Sequence, residues 1–254
     1  MKNPFASAHL KLKRAKEHID DLNAQIKEFI ERSVYEISVQ RDSKTGSESV
    51  KVSPSKPIPD DFALILGDAL HNLKSALDFA WYELTFADTP AKKRHGFPIY
   101  PSRTHLEDFL RYRKEQHSIY RLCDVLLRII QPYTGGNGDS LFHLHSLDKI
   151  DKHMLLIPQV QIVRIDGLWA EDGDGEKFGI KWRLVPSGGL VLNCGKHRNV
   201  KVIKKGQIAA TIVFGKGTPM AGHLVIPVLH EFEIAVSSVL KSLDVLGMEV
   251  HTPQ

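Results

Sequence analysis

The chain has 254 residues, 42% hydrophobic and 25% charged, with 34 basic against 30 acidic side chains and a net charge of +4. That is enough apolar content to bury a core, and the charge balance is too even to mark a dedicated nucleic-acid binder. Two cysteines, Cys123 and Cys194, stand far apart and outside any CxxC spacing, which argues against a disulfide scaffold and a thiolate zinc site and for a reducing, cytoplasmic setting.

The first segment, MKNPFASAHLKLKRAKEHIDDL, lacks the apolar stretch of a signal peptide, and nowhere do apolar residues run to the ~18 needed to cross a bilayer. Residues 6–32 place Leu10, Leu12, Ile19, Leu22, Ile26, Phe29 and Ile30 at helical spacing without Gly or Pro, so a long helix is expected, basic early and acidic later. The period then falls to two in YEISVQRDSKTGSESVKV, a hairpin turning at Ser43–Gly46. Pro59 and Asp60 suit the first turn of a helix over 59–86. A loop at 89–103 precedes helices near 104–115 and 118–131, the second stopping at Gln131-Pro132. TGGNG (134–138) is a loop, and Asp139 or Ser140 can cap the helix that follows. From Leu155 the pattern is β-like: IPQVQIVRI, KFGIKWRLV, GLVLNC and QIAATIVF are strands separated by DGDG, PSGG and KKGQ turns. VIPVLHEFEIAVSSVLKSLDVL reads as a closing helix.

The expected class is therefore α+β. An N-terminal helical bundle with an inserted hairpin (34–53) would fill residues 1–155, and an antiparallel β region with a C-terminal helix would fill 156–254. One continuous domain could equally hold both parts.

On the 59–86 helix, Leu66, Leu70, Leu73, Leu77, Ala80 and Leu84 share a narrow arc, while Asp68, His71, Ser75, Asp78 and Tyr82 form the opposite stripe. An exposed face normally carries Lys, Glu, Gln and Arg, so short Asp and Ser with His and Tyr suggest selection for something besides solvation. In DSLFHLHSLDKIDKH (139–153), Leu141, Leu144, Leu147 and Leu155 define an apolar arc that also contains Asp148 and Asp151. His143 lies near its edge, His145 and Lys152 at a flank, and Lys149 and His153 on the other side. Two carboxylates turned toward a core require a partner, and His71, Asn72, Lys74 and Asp78 are the candidates if the two helices pack together.

Three chemistries fit those residues. Asp148, Asp151 and His71 could ligate a divalent metal, since imidazole and carboxylate suit Zn, Mn or Fe. His71 could act as a general base oriented by Asp78, with Asp148 and Asp151 as the alternative orienting carboxylates. The third alternative is a polar network that only fixes helix register.

Other motifs fail on spacing. His143-Leu-His145-Ser-Leu-Asp148 approaches a metal-binding HxHxDH, but the aspartate is one place late and no histidine follows. DGDGEKFG starts like an EF-hand loop, yet Lys177 stands where glycine is needed and no Glu closes it, so it reads as a turn. GKHRNVKVIKK (195–205) is basic without interleaved aromatics, a solvated loop and strand rather than an RNA surface.

GDALHNLKSALDFAWYEL (67–84), FPIY (97–100), QPY (131–133) and LHSLDKIDKH (144–153) together resemble a family of uncharacterised bacterial proteins. Those carry a GD-x-LHNLRSALDH-type helix and a later L-x-x-L-x-x-IDKH segment. The resemblance spans roughly residues 60–155 and implies shared architecture and a shared site at Asp68–Asp78 and Asp148–His153. Phe79 replaces the histidine that usually ends the first motif, and Lys74 replaces its arginine. The helical half is also similar at fold level to HEPN-type bundles, whose Arg-x(4–6)-His hallmark is met literally by Arg111 and His117, a spacing that 12 Arg and 13 His would give by chance.

The sequence thus leads to a cytoplasmic bacterial protein with a His/Asp site between two helices, read as a metal-dependent hydrolase. A non-enzymatic helical interaction module and a HEPN-like ribonuclease are the alternatives. A homodimer and a nucleic acid stay open as partners; a membrane does not.

Overall fold

The computed structural model describes residues 5–32, 35–85, 96–114, 120–182, 190–195 and 197–250. It is an α+β fold of six helices and two antiparallel sheets among those residues, with the closing helix the sequence leads one to expect.

Helix α1 (Ala6–Glu31) buries Ala8, Leu12, Ala15, Ile19, Leu22 and Ile26, a three-and-four spacing that gives one continuous apolar stripe. That stripe lies against α2 (Asp61–Thr85), the most extensive helix pair in the molecule. Between them runs the hairpin β1 (Tyr35–Arg41) and β2 (Glu48–Pro54), in register from Tyr35↔Pro54 to Arg41↔Glu48. Its turn is closed by Asp42, whose Oδ1 accepts the N–H groups of Lys44 and Thr45 at 2.7 and 3.0 Å, while Gly46 takes the left-handed φ of +66° that the reversal needs.

Helix α3 (Arg103–Lys114) is followed by α4 (Tyr120–Asp124), which continues as a π-helical turn over Val125–Ile130. The extra residue per turn is where the structure departs from the regular helix expected over 118–131. It keeps Leu126 and Ile130 on the core side, and Gln131 then ends the run with φ +50° just before Pro132. Helix α5 (Asp139–Asp151) is preceded by Gly138, not capped by Asp139 or Ser140; Asp139 instead folds back to accept the N–H of Gly135 at 3.3 Å. The helix ends at Asp151, so Leu155 falls beyond it and is exposed, and Leu156 is the leucine that enters the core.

Strand β3 (Gln159–Glu171) is the spine of the second sheet. Its first half pairs with β7 (Gln207–Val213), and its second half is flanked by β4 (Lys177–Trp182) and β6 (Lys201–Lys204). β5 (Leu190–Asn193) leaves that sheet and pairs with β2, so the first sheet has the order β1-β2-β5. A small apolar cluster of Val50, Val52, Ile162, Ile165, Leu168, Ala170, Cys194 and Val200 draws on both sheets.

Helix α6 (Val225–Val250) packs on α1, α2 and α5. The main core accordingly mixes residues from both sides of position 156, among them Leu66, Leu70, Leu147, Val160, Phe214, Phe232 and Leu240. Strands β3 and β7 thus join the helices in the main core through Val160 and Ile212, while the smaller cluster lies apart from it. No helix among the described residues is long and apolar enough to cross a membrane.

Candidate active site between two helices

α2 is buried over most of its circumference, because α1, α5 and α6 all lean on it. The strip left open carries Asp68, His71, Ser75, Asp78 and Tyr82, all exposed or half-buried. α5 approaches this strip at Gly67, where a Cβ would come within 2.8 Å of the Asp151 carboxylate carbon. The absence of a side chain at that point lets the two helices close and brings the acidic end of α5 over His71.

The leucine face of α5 carries Asp148 inward with Leu141, Leu144 and Leu147. Its side chain is 3% exposed, and a carboxylate so deep needs donors on both oxygens. His71 Nδ1–H donates to Oδ1 at 3.3 Å, and Lys152 Nζ, one turn along α5, donates to Oδ2 at 2.6 Å. With Nδ1 committed as donor, the neutral imidazole presents an Nε2 lone pair, and Ser75 Oγ lies 3.4 Å from it. Carboxylate, imidazole and hydroxyl therefore stand in a row, running from the core to the surface.

Around this row are further polar groups. Lys74 is buried and ion-paired with Asp78, which also accepts the N–H of Phe97 at 2.8 Å. Gly96 lies against that pair, since a Cβ there would meet Asp78 Oδ1 at 2.7 Å. His145 is half-buried and its Nδ1 has no hydrogen-bond partner. Burial, and then the nearby Lys74, hold its pKa below the usual histidine value, outweighing the carboxylates of Asp148 and Asp78. It lines a cavity of about 570 Å³ with Ile99, Pro101, Phe142, Lys149 and His153.

Asp151 is half-buried. Loss of water first, and then the charge of Asp148, raise its pKa above the ordinary carboxylate range, against the pull of the Leu156 N–H. Its Oδ1 is buried without a hydrogen-bond partner.

Of the residues singled out in the sequence, the structure brings His71 and Asp148 together. Asp78 stands apart: seven residues along a helix is about 10 Å, so it serves Lys74 and Phe97, and Asp148 takes the place of the group orienting His71. The donor atoms of His71, Asp148 and Asp151 do not converge within 4.8 Å of one another, and both oxygens of Asp148 are already engaged. Asn72 turns toward α1, binding Lys11 Nζ at 3.1 Å. Arg111 is exposed on α3 and pairs with Asp108, while His117 lies outside the described residues. Ser75 and Lys152 were visible in the pattern as i, i+4 neighbours of His71 and Asp148, and that spacing is the signal for their contacts.

A second constellation lies in the β region. Among the described residues, the one group of three His, Asp or Glu side chains with donor atoms within 4.8 Å of one another is Asp172, Glu176 and His197, and this group could hold a metal ion. The hydrogen bond from His197 holds the Asp172 carboxyl below its ordinary range. The two acids come from the DGDGE turn, but His197 joins them only through the sheet, so sequence spacing gives no hint of it.

No protein-family model matches the chain, and comparison with curated proteins and with solved structures returned no match.

Proposed function

We propose that the protein is a hydrolase working by acid–base chemistry at His71, with Asp148 orienting the imidazole and Ser75 as the nucleophile. The observation that carries this reading is the row Asp148 Oδ1, His71 Nδ1 and Nε2, Ser75 Oγ, with its outer end open to solvent. A buried carboxylate on Nδ1 fixes the tautomer that leaves Nε2 as a base and stabilises the imidazolium formed when it takes a proton. In the first step Nε2 removes the Ser75 proton as Oγ bonds to the electrophilic carbon of an ester, and the leaving group then takes that proton from Nε2. Water reverses the sequence and frees Ser75. Contacts of 3.3 and 3.4 Å are long for such a relay, as they commonly are before substrate tightens them. The metal-dependent form of this reading draws no support from the α2–α5 pair, whose donors point at each other's protons rather than at a common centre. The motifs of α2 and α5 also support a relationship to the bacterial proteins they resemble, with this row as the shared site.

Chromogenic ester hydrolysis by the purified full chain tests it. His71→Ala is expected to lower turnover roughly a hundred- to ten-thousandfold. Ser75→Ala should do the same while leaving the melting temperature near that of the wild type, because Ser75 is half-buried and bonded only to the imidazole. Turnover unchanged in both variants removes the reading.

A non-enzymatic reading is favoured by the ion pairs Lys152–Asp148 and Lys74–Asp78, which already satisfy the buried charges. On that reading the same variants change stability alone and no ester is turned over.

A further inference from the structure

The geometry points to a second site, independent of the helix pair: a three-donor site for one divalent transition-metal ion formed by Asp172, Glu176 and His197. Asp172 and Glu176 flank the turn from β3 to β4, and His197 comes from the loop between β5 and β6.

Backbone and side-chain bonds fix these two loops against each other. Gly173 N–H donates to Arg198 O at 2.8 Å, and Asp172 N–H to Glu176 O at 3.1 Å. Asp172 Oδ1 accepts the N–H groups of Asp174 and Glu176 at 3.1 and 2.9 Å, which leaves Oδ2 for the site. The His197 ring stacks on Phe178 at 4.2 Å between centroids and 14° between planes, so its Nδ1 edge has a set direction. That Nδ1 lies 2.6 Å from Asp172 Oδ2 and 3.9 Å from Glu176 Oε2.

Two donors bound to one ion at about 2.1 Å stand roughly 3 to 3.4 Å apart. The Asp172–His197 separation of 2.6 Å needs to open by roughly 0.4 to 0.8 Å, and Glu176 Oε2, now 3.9 Å from Nδ1, needs to close by roughly 0.5 to 0.9 Å. The ion takes the place of the proton now shared between Nδ1 and Oδ2. The imidazole then carries its proton on Nε2 and offers the Nδ1 lone pair to the ion. Asp172 and His197 side chains are 6% and 15% exposed, so the inner donors are already held out of water while the outer one guards entry. Arg198 does not oppose a cation there, since its guanidinium is turned to the carbonyls of Gly195 and His197.

The donor chemistry selects the ion. An imidazole with two carboxylates suits zinc, cobalt, manganese or nickel, whereas calcium and magnesium take oxygen donors throughout. Three protein donors leave a coordination position for water. Occupied, the site would clip the β3–β4 turn to the loop before β6 and stiffen the smaller of the two apolar clusters.

The test uses the full chain, stripped with a chelator and titrated with CoCl2 and then ZnCl2. One Co2+ per chain is expected, with visible d–d absorption that Zn2+ abolishes. His197→Gln should eliminate the absorption. Glu176→Gln, on an exposed side chain, should weaken binding at least about tenfold, given that even indirect partners of a ligand cost that much. Its unfolding without metal should remain a single cooperative transition, which separates lost binding from lost folding. His71→Ala should leave stoichiometry and affinity unchanged, so a metal held at the helix pair would reveal itself. No absorption from the wild type with Co2+ in excess, or absorption unaltered in both His197→Gln and Glu176→Gln, overturns the proposal and leaves the trio as an ion pair bracing a turn.

Discussion

Asp148 and Asp151 sit three residues apart and face the same neighbour, yet their situations are opposite. Asp148 is the deeper and has a donor on each oxygen. Asp151 is the shallower, and desolvation and the Asp148 charge both penalise its ionised form. Its folded-state pKa lies above the ordinary 3.8, so the folded chain holds a proton that the unfolded chain releases. Stability attributable to this residue is therefore lost as pH rises through the interval between 3.8 and the raised value, and the penalty is complete above it. Asp151→Asn is expected to raise the melting temperature at neutral pH and to leave it unchanged below the ordinary aspartate pKa. Thermal unfolding of the two proteins at both pH values checks the sign, and a lower melting point for the variant at neutral pH would contradict it. The same change should leave ester turnover intact, because Asp151 touches neither His71 nor Ser75 in the hydrogen-bond row.

At the scale of the elements, the contact between α2 and α5 depends on one missing side chain. Gly67 sits inside a helix, where glycine costs up to about 1 kcal/mol relative to alanine. Its Cβ would overlap the Asp151 carboxylate. Gly67→Ala should therefore destabilise the protein, whereas Gly67→Ala made in an Asp151→Ala background should stabilise it by roughly the propensity difference, up to about 1 kcal/mol. Chemical denaturation of the four proteins in that cycle reads the coupling, and additive effects would mean that the helices do not meet at this point. How far such elements can be read in advance depends on whether their signal is local. The period of α1, the leucine arc and polar stripe of α2 and the Asp42–Gly46 turn are properties of neighbouring residues, and each appears in the sequence. The π-helical turn at Val125–Ile130 adds one residue to a run of apolar letters broken only by Arg128, so VLLRII reads the same with or without it. The pairing of Asp148 with His71 was within reach because the leucines of each helix mark which side faces the core. The choice between Asp78 and Asp148 as the orienting group was not, since it turns on where one helix crosses another. His197 was lost for a related reason: only the sheet, with β5 leaving to join β2 and β6 returning to β3, places it over the DGDGE turn.

For the molecule as a whole, the unequal size of its two apolar clusters sets the order in which parts open. The larger gathers residues from α1 through α6, and the smaller contains eight fully buried residues between the sheets. Opening free energy follows the apolar contacts broken, so amides of β4 and β6 should exchange with solvent through a local transition, while those in the middle of α2 should exchange only on global unfolding. Hydrogen exchange followed by mass spectrometry distinguishes the two classes, and uniform protection would show that the sheets and the helices open as one unit. The packing of α6 on α1 has a consequence for biosynthesis. His9 meets Asp244 at 3.1 Å across 235 positions, and Lys16 meets Glu233 at 2.8 Å. During synthesis, the parts of α1 and α2 that α6 covers therefore stay bare until α6 itself has emerged from the ribosome. Contacts of such long range form slowly, and the exposed stripes are what a holding chaperone binds.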